Sequence, residues 1–290
     1  MNFKKLLDSS KFVLICELQP PKGVDTTELI DNAKSIKGRV DAIYVPELPG
    51  AVMTLGSLAA CRIIGDMGFT SIFEVNCSNK NRLALQSELL SASALGIENV
   101  IVRSGEDPTL GDHHESKPVF DLDRFHLLTA IQKLQEGFDM AGGDLQGAPR
   151  FCTGAVVNIS GKEPALDLEI QDMEKMIRLG ADFFLTTAVF DMSRFEKFMK
   201  RAERFHIPIM AEVVILKSVS MAKYMNKFMD DVSIPEAIID GLKNSPDRTR
   251  AGLDIAAEII RDLKALCRGI HIRSFGWEKK IPLVLNAARV

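Results

Sequence analysis

Short apolar segments recur along the chain, and each is followed by a stretch in which apolar residues repeat with a helical period. Apolar runs rich in β-branched and aromatic residues predict buried strands, and the stretches between them predict helices. The predicted strands are 12–17, 40–45, 70–75, 99–103, 151–157, 181–187, 207–213 and 269–275. The predicted helices are 27–36, 55–66, 79–95, 127–134, 166–179, 193–205, 219–229, 235–242, 248–267 and 282–288.

Two α/β architectures are consistent with this alternation: a (β/α)8 TIM barrel and a doubly wound open sheet. An open sheet usually carries a Gly-x-Gly-x-x-Gly turn after its first strand, whereas this chain has Pro20 and Pro21 there. We therefore predict a (β/α)8 TIM barrel that forms one catalytic domain over residues 1–290.

Composition and charge exclude several classes of protein. Of the 290 residues, 46% are hydrophobic and 26% are charged, which is typical of globular proteins. A net charge of −3 gives no electrostatic reason to expect a nucleic-acid partner. Neither a signal peptide nor a long apolar span is recognisable, so we expect a cytoplasmic protein without a membrane span.

Cysteine and histidine spacing argues against a metal site. The chain has five cysteines and five histidines, without a Cys-x-x-Cys pair. A chain with this spacing is not expected to hold an iron–sulfur cluster or a structural zinc by itself.

The polar residues that end the predicted strands are the candidates for chemistry, because a parallel barrel builds its active site at the carboxyl ends of its strands. These candidates are Glu17, residues 44–48, Glu74, Asn76, Gly105, Glu106, Asn158, Thr186, Thr187, Glu212 and residues 274–277. No lysine is placed there to form a Schiff base. The pattern favours acid–base chemistry on a polar ring system beside a bound cofactor.

Glu17 ends an apolar run and is followed by Pro20 and Pro21, which cannot continue a strand. Apolar surroundings favour the protonated form of a carboxyl group, as a general acid requires. The alternative is a structural carboxylate paired with a lysine or an arginine.

Several segments resemble the methylenetetrahydrofolate reductase family. The segment Glu17-Leu-Gln-Pro20-Pro21 is similar to that family's Phe-Glu-Phe-Phe-Pro-Pro, and Arg103-Ser-Gly105-Glu106 stands where it has Arg-Gly-Asp or Thr-Gly-Asp. Residues 179–191 follow its Gly-Ala-x-Phe-x-x-Thr-Gln-x-x-Phe-Asp. Residues 81–90, 110–123 and 276–278 resemble the short reductases of acetogenic and related one-carbon-pathway bacteria.

The resemblance implies a flavoprotein barrel that reduces 5,10-methylenetetrahydrofolate to 5-methyltetrahydrofolate. It implies that Glu17 is the general acid, which protonates the pterin so that its five-membered ring opens before hydride arrives from the flavin. The flavin is FAD or FMN.

The same resemblance implies a set of binding residues. The implied cofactor-binding residues are Glu74, Asn76, Arg82, Gly105, Glu106, Gly154, Ala155 and Lys175. The implied substrate-binding residues are Glu17, Glu106, Thr187 and Trp277. The chain departs from the family pattern at Glu74, Glu106, Ser160 and Thr187, where histidine, aspartate, histidine and glutamine are usual.

Each of these residues also has a structural interpretation. Gly105 could serve a turn, and Gly154 with Ala155 could serve close packing. Arg82 could form an ion pair, and Asn76 could cap the next helix. Trp277 could belong to the core, whereas an aromatic residue just past the eighth strand could also stack on a pterin or mark a partner interface.

The resemblance also implies partners. We expect an oligomer and an iron–sulfur and zinc partner subunit, or ferredoxin, as electron donor, with NADH as the alternative. Two other functions stay open: a redox-inactive pterin-binding scaffold subunit of a one-carbon complex, and a non-redox barrel enzyme such as an aldolase or lyase.

Overall fold

Eight parallel strands close into a barrel in the computed structural model, which describes residues 2–161, 163–229 and 231–290. The strands are β1 (Val13–Glu17), β2 (Ala42–Val45), β3 (Ser71–Asn76), β4 (Asn99–Arg103), β5 (Cys152–Val157), β6 (Phe183–Ala188), β7 (Ile209–Val214) and β8 (Gly269–Arg273). They follow one another in sequence order, and β1 pairs with β8 to close the ring. The predicted TIM barrel is confirmed.

Helices surround the barrel between the strands. They are α1 (Phe3–Leu7), α2 (Thr27–Ser35), α3 (Ser57–Asp66), α4 (Arg82–Ala94), α5 (Arg124–Glu136), α6 (Glu163–Arg178), α7 (Met192–Ala202), α8 (Val219–Phe228), α9 (Glu236–Asn244), α10 (Arg248–Leu263) and α11 (Ile281–Ala288). All of the predicted helices are present, whereas α1 was not predicted. No helix in the described ranges is long and apolar enough to span a membrane.

The amino-terminal half of the barrel interior is mostly apolar, and α1 closes its end. The buried side chains that fill it are Val13, Ile15, Ala42, Ile72, Ile101, Cys152, Phe183, Leu185 and Met210. Phe3, Leu6 and Leu7 of α1 belong to the same cluster, and the Phe3 ring meets the Phe183 ring edge-on at 5.4 Å. Arg268, just before β8, donates hydrogen bonds to the carbonyls of Leu6 and Leu7 at 3.1 and 3.0 Å, which holds α1 in place.

Gly154 lies within this packed interior. A Cβ atom at this position would stand 2.5 Å from Cζ of Phe183 and 2.6 Å from Cδ1 of Ile101. Real carbon atoms do not approach so closely, so any larger residue here would force Phe183 or Ile101 to shift.

Three of the loops at the carboxyl ends of the strands are tied together by Asp112, which follows β4. Its carboxylate accepts from Lys22 after β1 and from the backbone N–H of Met53 after β2. Lys22 and His113 hold the pKa of Asp112 well below its usual range.

Candidate active site at the barrel mouth

The carboxyl-terminal half of the barrel interior is polar. Because side chains alternate along a strand, the last inward-facing positions of neighbouring strands meet at one level of the barrel. Seven inward-facing side chains near the carboxyl ends of the strands form what we call the mouth cluster: Glu17, Tyr44, Glu74, Arg103, Glu212, His271 and Arg273.

Arg273 bridges two buried carboxylates of the mouth cluster. Its Nε lies 3.1 Å from Oε2 of Glu17, and its Nη1 lies 3.2 Å from Oε1 of Glu212. This bridge is possible because β8 lies between β7 and β1 in the sheet. Glu17 is only 5% exposed and is ion-paired with an arginine, so its surroundings are not the apolar ones expected from the sequence.

His271 lies between the same two carboxylates. Its Nε2 is 3.6 Å from Glu17 and its Nδ1 is 3.7 Å from Glu212, and neither nitrogen has a hydrogen-bond partner among the described residues. The Tyr44 ring meets the imidazole edge-on, with ring centroids 4.9 Å apart. Burial lowers the pKa of His271 well below 6.5, and the charges of Arg273 and Arg103 act in the same direction. We therefore describe this imidazole as neutral at neutral pH.

The second part of the mouth cluster lies on β2, β3 and β4. The Tyr44 hydroxyl donates a hydrogen bond to the buried carboxylate of Glu74. Burial raises the pKa of Glu74, although Arg103 and Tyr44 oppose this effect. Burial also raises the pKa of Tyr44 well above its usual range. This part of the cluster therefore favours a neutral phenol beside a carboxyl group that protonates more readily than usual.

Glu212 has the same tendency on the other side of the barrel. Burial raises its pKa and the nearby Glu17 adds to this effect, while the charges of Arg273 and Arg103 oppose it.

Asn76 and Gly105 pack against each other at the ends of β3 and β4. Asn76 donates to the carbonyl of Glu47 at 3.2 Å and accepts from the Ser78 hydroxyl at 3.1 Å. The following helix is capped by Asn81 instead. Gly105 has a φ of +79°, and a Cβ there would lie 2.5 Å from Oγ of Ser78. Gly105 therefore serves both a turn and a close contact.

Two more of the sequence-predicted residues lie near the mouth. Thr187 is buried near the end of β6, where its hydroxyl accepts from the N–H of Ile159 at 3.1 Å. Glu106 is exposed in the loop after β4.

Ala155 and Lys175 lie away from the mouth, whereas Arg82 lies on the side of the mouth, at the start of the helix that follows β3. Ala155 is buried in the layer between strands and helices. Lys175 lies in the last turn of α6, about 18 Å along the helix axis from its first residue. Its Nζ stands 3.7 Å from the centroid of the Phe125 ring. Arg82 begins α4 and forms a two-pronged ion pair with Asp121, at 3.0 and 2.9 Å.

Trp277 lies in the loop after β8, half-buried against the core, with the ammonium groups of Lys217 and Lys280 near its ring. It is thus both a packing residue and a residue of the mouth. The sequence had left these two interpretations open.

Two loops at this end of the barrel carry side-chain oxygens that have no partner among the described residues. Thr54 Oγ1 and Asn79 Oδ1, in the loops after β2 and β3, are buried without a partner among the described residues. Buried polar atoms are usually paired, so an unpaired one indicates a ligand or a water molecule. Within the described ranges, no group of three or more His, Cys, Asp or Glu residues could hold a metal ion.

Sequence reasoning missed Arg103, His271 and Arg273 as members of the site. His271 and Arg273 fell inside the predicted strand 269–275, whose end was placed two residues too late. The available signal was their spacing, because polar residues at alternate positions of an apolar strand must share one face.

Comparison with known proteins agrees with this picture. A family model described as methylenetetrahydrofolate reductase matches residues 2–289. Methylenetetrahydrofolate reductase 2 of Schizosaccharomyces pombe is 23% identical over 301 residues, covering 93% of this chain and 44% of that protein. The chain therefore spans less than half the length of this relative.

Solved structures share the fold. A Clostridium thermocellum protein described as binding two copies of 5-methyl-5,6,7,8-tetrahydrofolic acid has a TM-score of 0.71 and 17% identity, covering 100% of this chain and 99% of that one. Long-chain alkane monooxygenase LadA has a TM-score of 0.57 and 11% identity, with 97% and 92% covered. The 2,3-dimethylmalate lyase has a TM-score of 0.54 and 10% identity, with 99% and 84% covered. At these identities the likeness concerns the fold alone.

Proposed function

Because this chain belongs to the methylenetetrahydrofolate reductase family, we propose that it reduces 5,10-methylenetetrahydrofolate to 5-methyltetrahydrofolate with a bound flavin. The observation that carries the proposal is the mouth cluster. Glu17 ends β1 at the open end of the barrel and is backed by Arg273, His271 and Glu212. This arrangement is suited to delivering one proton to a substrate placed at the mouth.

Glu17 is the proton donor in this proposal. It protonates a pterin nitrogen so that the five-membered ring of the substrate opens. The proton is supplied by the cluster behind it, where burial raises the pKa of Glu212. Arg273 holds both carboxylates in position, because its guanidinium contacts each of them. In this proposal the protein provides the proton and orients the substrate, and the hydride is left to the cofactor.

A bound flavin would supply the hydride. In this proposal the flavin lies beside the strand ends that carry Asn76, Gly105 and Glu74, and the side-chain oxygens of Thr54 and Asn79 in the neighbouring loops have no partner among the described residues. We do not assign Ala155 or Lys175 to it, since both lie in the outer layers of the barrel. The clostridial protein described as binding 5-methyltetrahydrofolic acid supports a folate at this kind of barrel.

The test is a half-reaction on the whole chain. The protein is mixed with FAD or FMN, desalted, photoreduced without oxygen and then mixed with 5,10-methylenetetrahydrofolate. We expect a flavin band that survives desalting, bleaches on reduction and returns with the folate. The proposal is contradicted if the chain retains no flavin, or if the folate does not reoxidise the reduced flavin.

Glu17→Gln tests the proton donor. Because the glutamine cannot give up a proton, we expect flavin reoxidation to slow by about 10²- to 10⁴-fold while flavin stays bound. Glu278→Gln is the matched control: Glu278 is an equally buried carboxylate, 5% exposed, that bonds Ser274 and Gly276 instead of the mouth cluster. Equal rates for Glu17→Gln and the unaltered chain would remove Glu17 from this role.

A further inference from the structure

Glu212 is a buried carboxylate whose hydrogen bonds are incomplete. Arg273 donates to its Oε1 at 3.2 Å, whereas Nδ1 of His271 stands 3.7 Å from its Oε2, which is too far for a hydrogen bond. No other group in the described ranges donates to Oε2 of Glu212. Its side chain is 8% exposed, so a ligand at the mouth can reach it. A buried acceptor without a donor indicates a ligand or a water molecule.

Arg273 also has a donor to spare. Its Nε contacts Glu17 and its Nη1 contacts Glu212, while Nη2 has no hydrogen-bond partner within the part of the chain that the structure describes. The side chain is 14% exposed, and a guanidinium carries five N–H groups in one plane. The mouth cluster therefore offers three functions in a row: a carboxyl group at Glu17, an N–H donor at Arg273 and an acceptor at Glu212.

The acceptor lies deeper in the barrel than the proton donor. Glu212 pairs in register with His271 of β8, whereas Glu17 stands one residue beyond the pair formed by Cys16 and Ile272. Measured along β8, Glu17 is thus two residues nearer to the open end than Glu212. A flat ring that contacts both side chains must enter the barrel edge first, with its inner edge at Glu212.

The other residues at which the sequence resemblance implies substrate contacts do not supply this inner acceptor. The Thr187 hydroxyl accepts from the N–H of Ile159 at 3.1 Å and donates to Oδ1 of Asn158 at 3.4 Å, so it is already engaged within the chain. Glu106 is exposed in the loop after β4. Glu212 is the carboxylate placed to take over their role at depth.

Resting on the proposed function, we infer that Glu212 and Arg273 select the pyrimidine edge of the pterin: Glu212 accepts from its 2-amino group and N3–H, and Arg273 donates to its 4-oxo group. On a pterin these two donors and this acceptor follow one another along one edge that leads to N5, next to the carbon that bears the tail. The order matches that of Glu212, Arg273 and Glu17, and it leaves the tail directed outward. A carboxylate that accepts two parallel N–H bonds adds geometric specificity to the contact.

The test compares two quinazoline probes, 5,8-dideazafolate and its 2-desamino counterpart, which differ only in the 2-amino group. Both have carbon in place of N5, so their binding does not depend on protonation by Glu17. Calorimetry on the whole chain with FAD present measures both affinities. We expect the amino probe to bind about tenfold more tightly, a margin that one hydrogen bond to a charged group can supply. Equal affinities would overturn the inference.

Glu212→Gln should abolish this preference, because Arg273 retains the amide oxygen and the amide NH2 then faces the donors of the ring. Glu212→Asp keeps the buried charge and is the second variant, whose carboxylate is one methylene farther from the ring and should also lose most of the preference. Glu278→Gln, the buried control, should retain it. A preference that survives both Glu212 variants, or one that Glu278→Gln loses equally, would overturn the inference.

These measurements separate the inference from the proposed function, since neither probe can be reduced at position 5. A chain that distinguishes the two probes through Glu212 but leaves reduced flavin unoxidised supports the role of Glu212 and contradicts the reductase. A chain that reoxidises flavin with folate but binds both probes equally does the reverse.

Discussion

The two halves of the barrel interior are built from opposite kinds of side chain on the same strands. On β1, Ile15 belongs to the apolar half and Glu17 to the mouth cluster, although both point inward. On β8, His271 and Arg273 sit at the polar level, and Met210 on β7 lies below Glu212. A shift of two residues along a strand therefore changes the environment from packed hydrocarbon to paired charge.

The comparison shows that each half is stabilised in a different way. The apolar half gains stability from burial and close packing, so volume is what matters there. The polar half gains little from its buried charges and loses much if one partner is removed. Substitutions in the two halves should therefore destabilise the fold for different reasons: lost packing in the apolar half and unpaired buried charge in the polar half. The predictions below test this difference.

The largest expected effect is that of Arg273→Met. It leaves the carboxylates of Glu17 and Glu212 buried without their guanidinium, which should lower the free energy of unfolding by about 3–5 kcal/mol. Chemical denaturation at neutral pH measures this change. Adding Glu17→Gln and Glu212→Gln to the variant should recover much of the loss, since no buried charge is then unpaired. A single variant as stable as the unaltered chain would show that the bridge is not needed.

Leu7→Ala in α1 should come next. Leu7 is 4% exposed and packs under the barrel, so its truncation should lower the free energy of unfolding by about 2–4 kcal/mol. Folate affinity should stay unchanged, because the substitution is at the far end from the mouth. Lys5→Ala, an exposed position of the same helix, is the control and should leave stability unaltered. A weaker folate affinity in Leu7→Ala would contradict the expectation that the apolar half affects stability and leaves binding at the mouth unchanged.

The smallest expected effect is a pH dependence from His271. Its pKa in the folded chain lies below 6.5, so its contribution to stability is present above about pH 6.5 and is lost as pH falls. Between about pH 7.5 and 5.5, we expect the unaltered chain to lose about 1 kcal/mol more than His271→Asn does. His206→Asn, at an exposed histidine, should keep the pH dependence of the unaltered chain. Identical pH profiles for the unaltered chain and His271→Asn would contradict a neutral buried imidazole.

Most of the fold follows from local patterns in the sequence. The barrel was predictable because each strand is a short apolar run and each helix repeats its apolar positions over several turns. The helix α1 was not, because its five residues are too few to show a helical period, and its burial depends on a gap at the end of a closed barrel.

The site was less predictable than the fold. Glu17, Glu74 and Glu212 were found because each is a carboxylate at or next to the end of an apolar run, whereas Arg103 and Arg273 were not singled out although each ends its strand. Ala155 illustrates a different limit: it is adjacent to Gly154 in sequence, but neighbours on a strand face opposite sides of a sheet. Whether a side chain reaches the mouth depends on its position along the strand, which sets the face it points to, and on its position along a helix. Resemblance to a sequence motif does not specify either.

The packing of α1 against the amino-terminal end of the barrel determines how ligands reach the space beside Glu17. Because Phe3 and Leu6 fill that end in the described part of the chain, a ligand approaches Glu17 and leaves it through the carboxyl-terminal end of the barrel. Two ligands that both occupy the space beside Glu17 would therefore exclude each other, and one would have to leave through the carboxyl-terminal end before the other could bind.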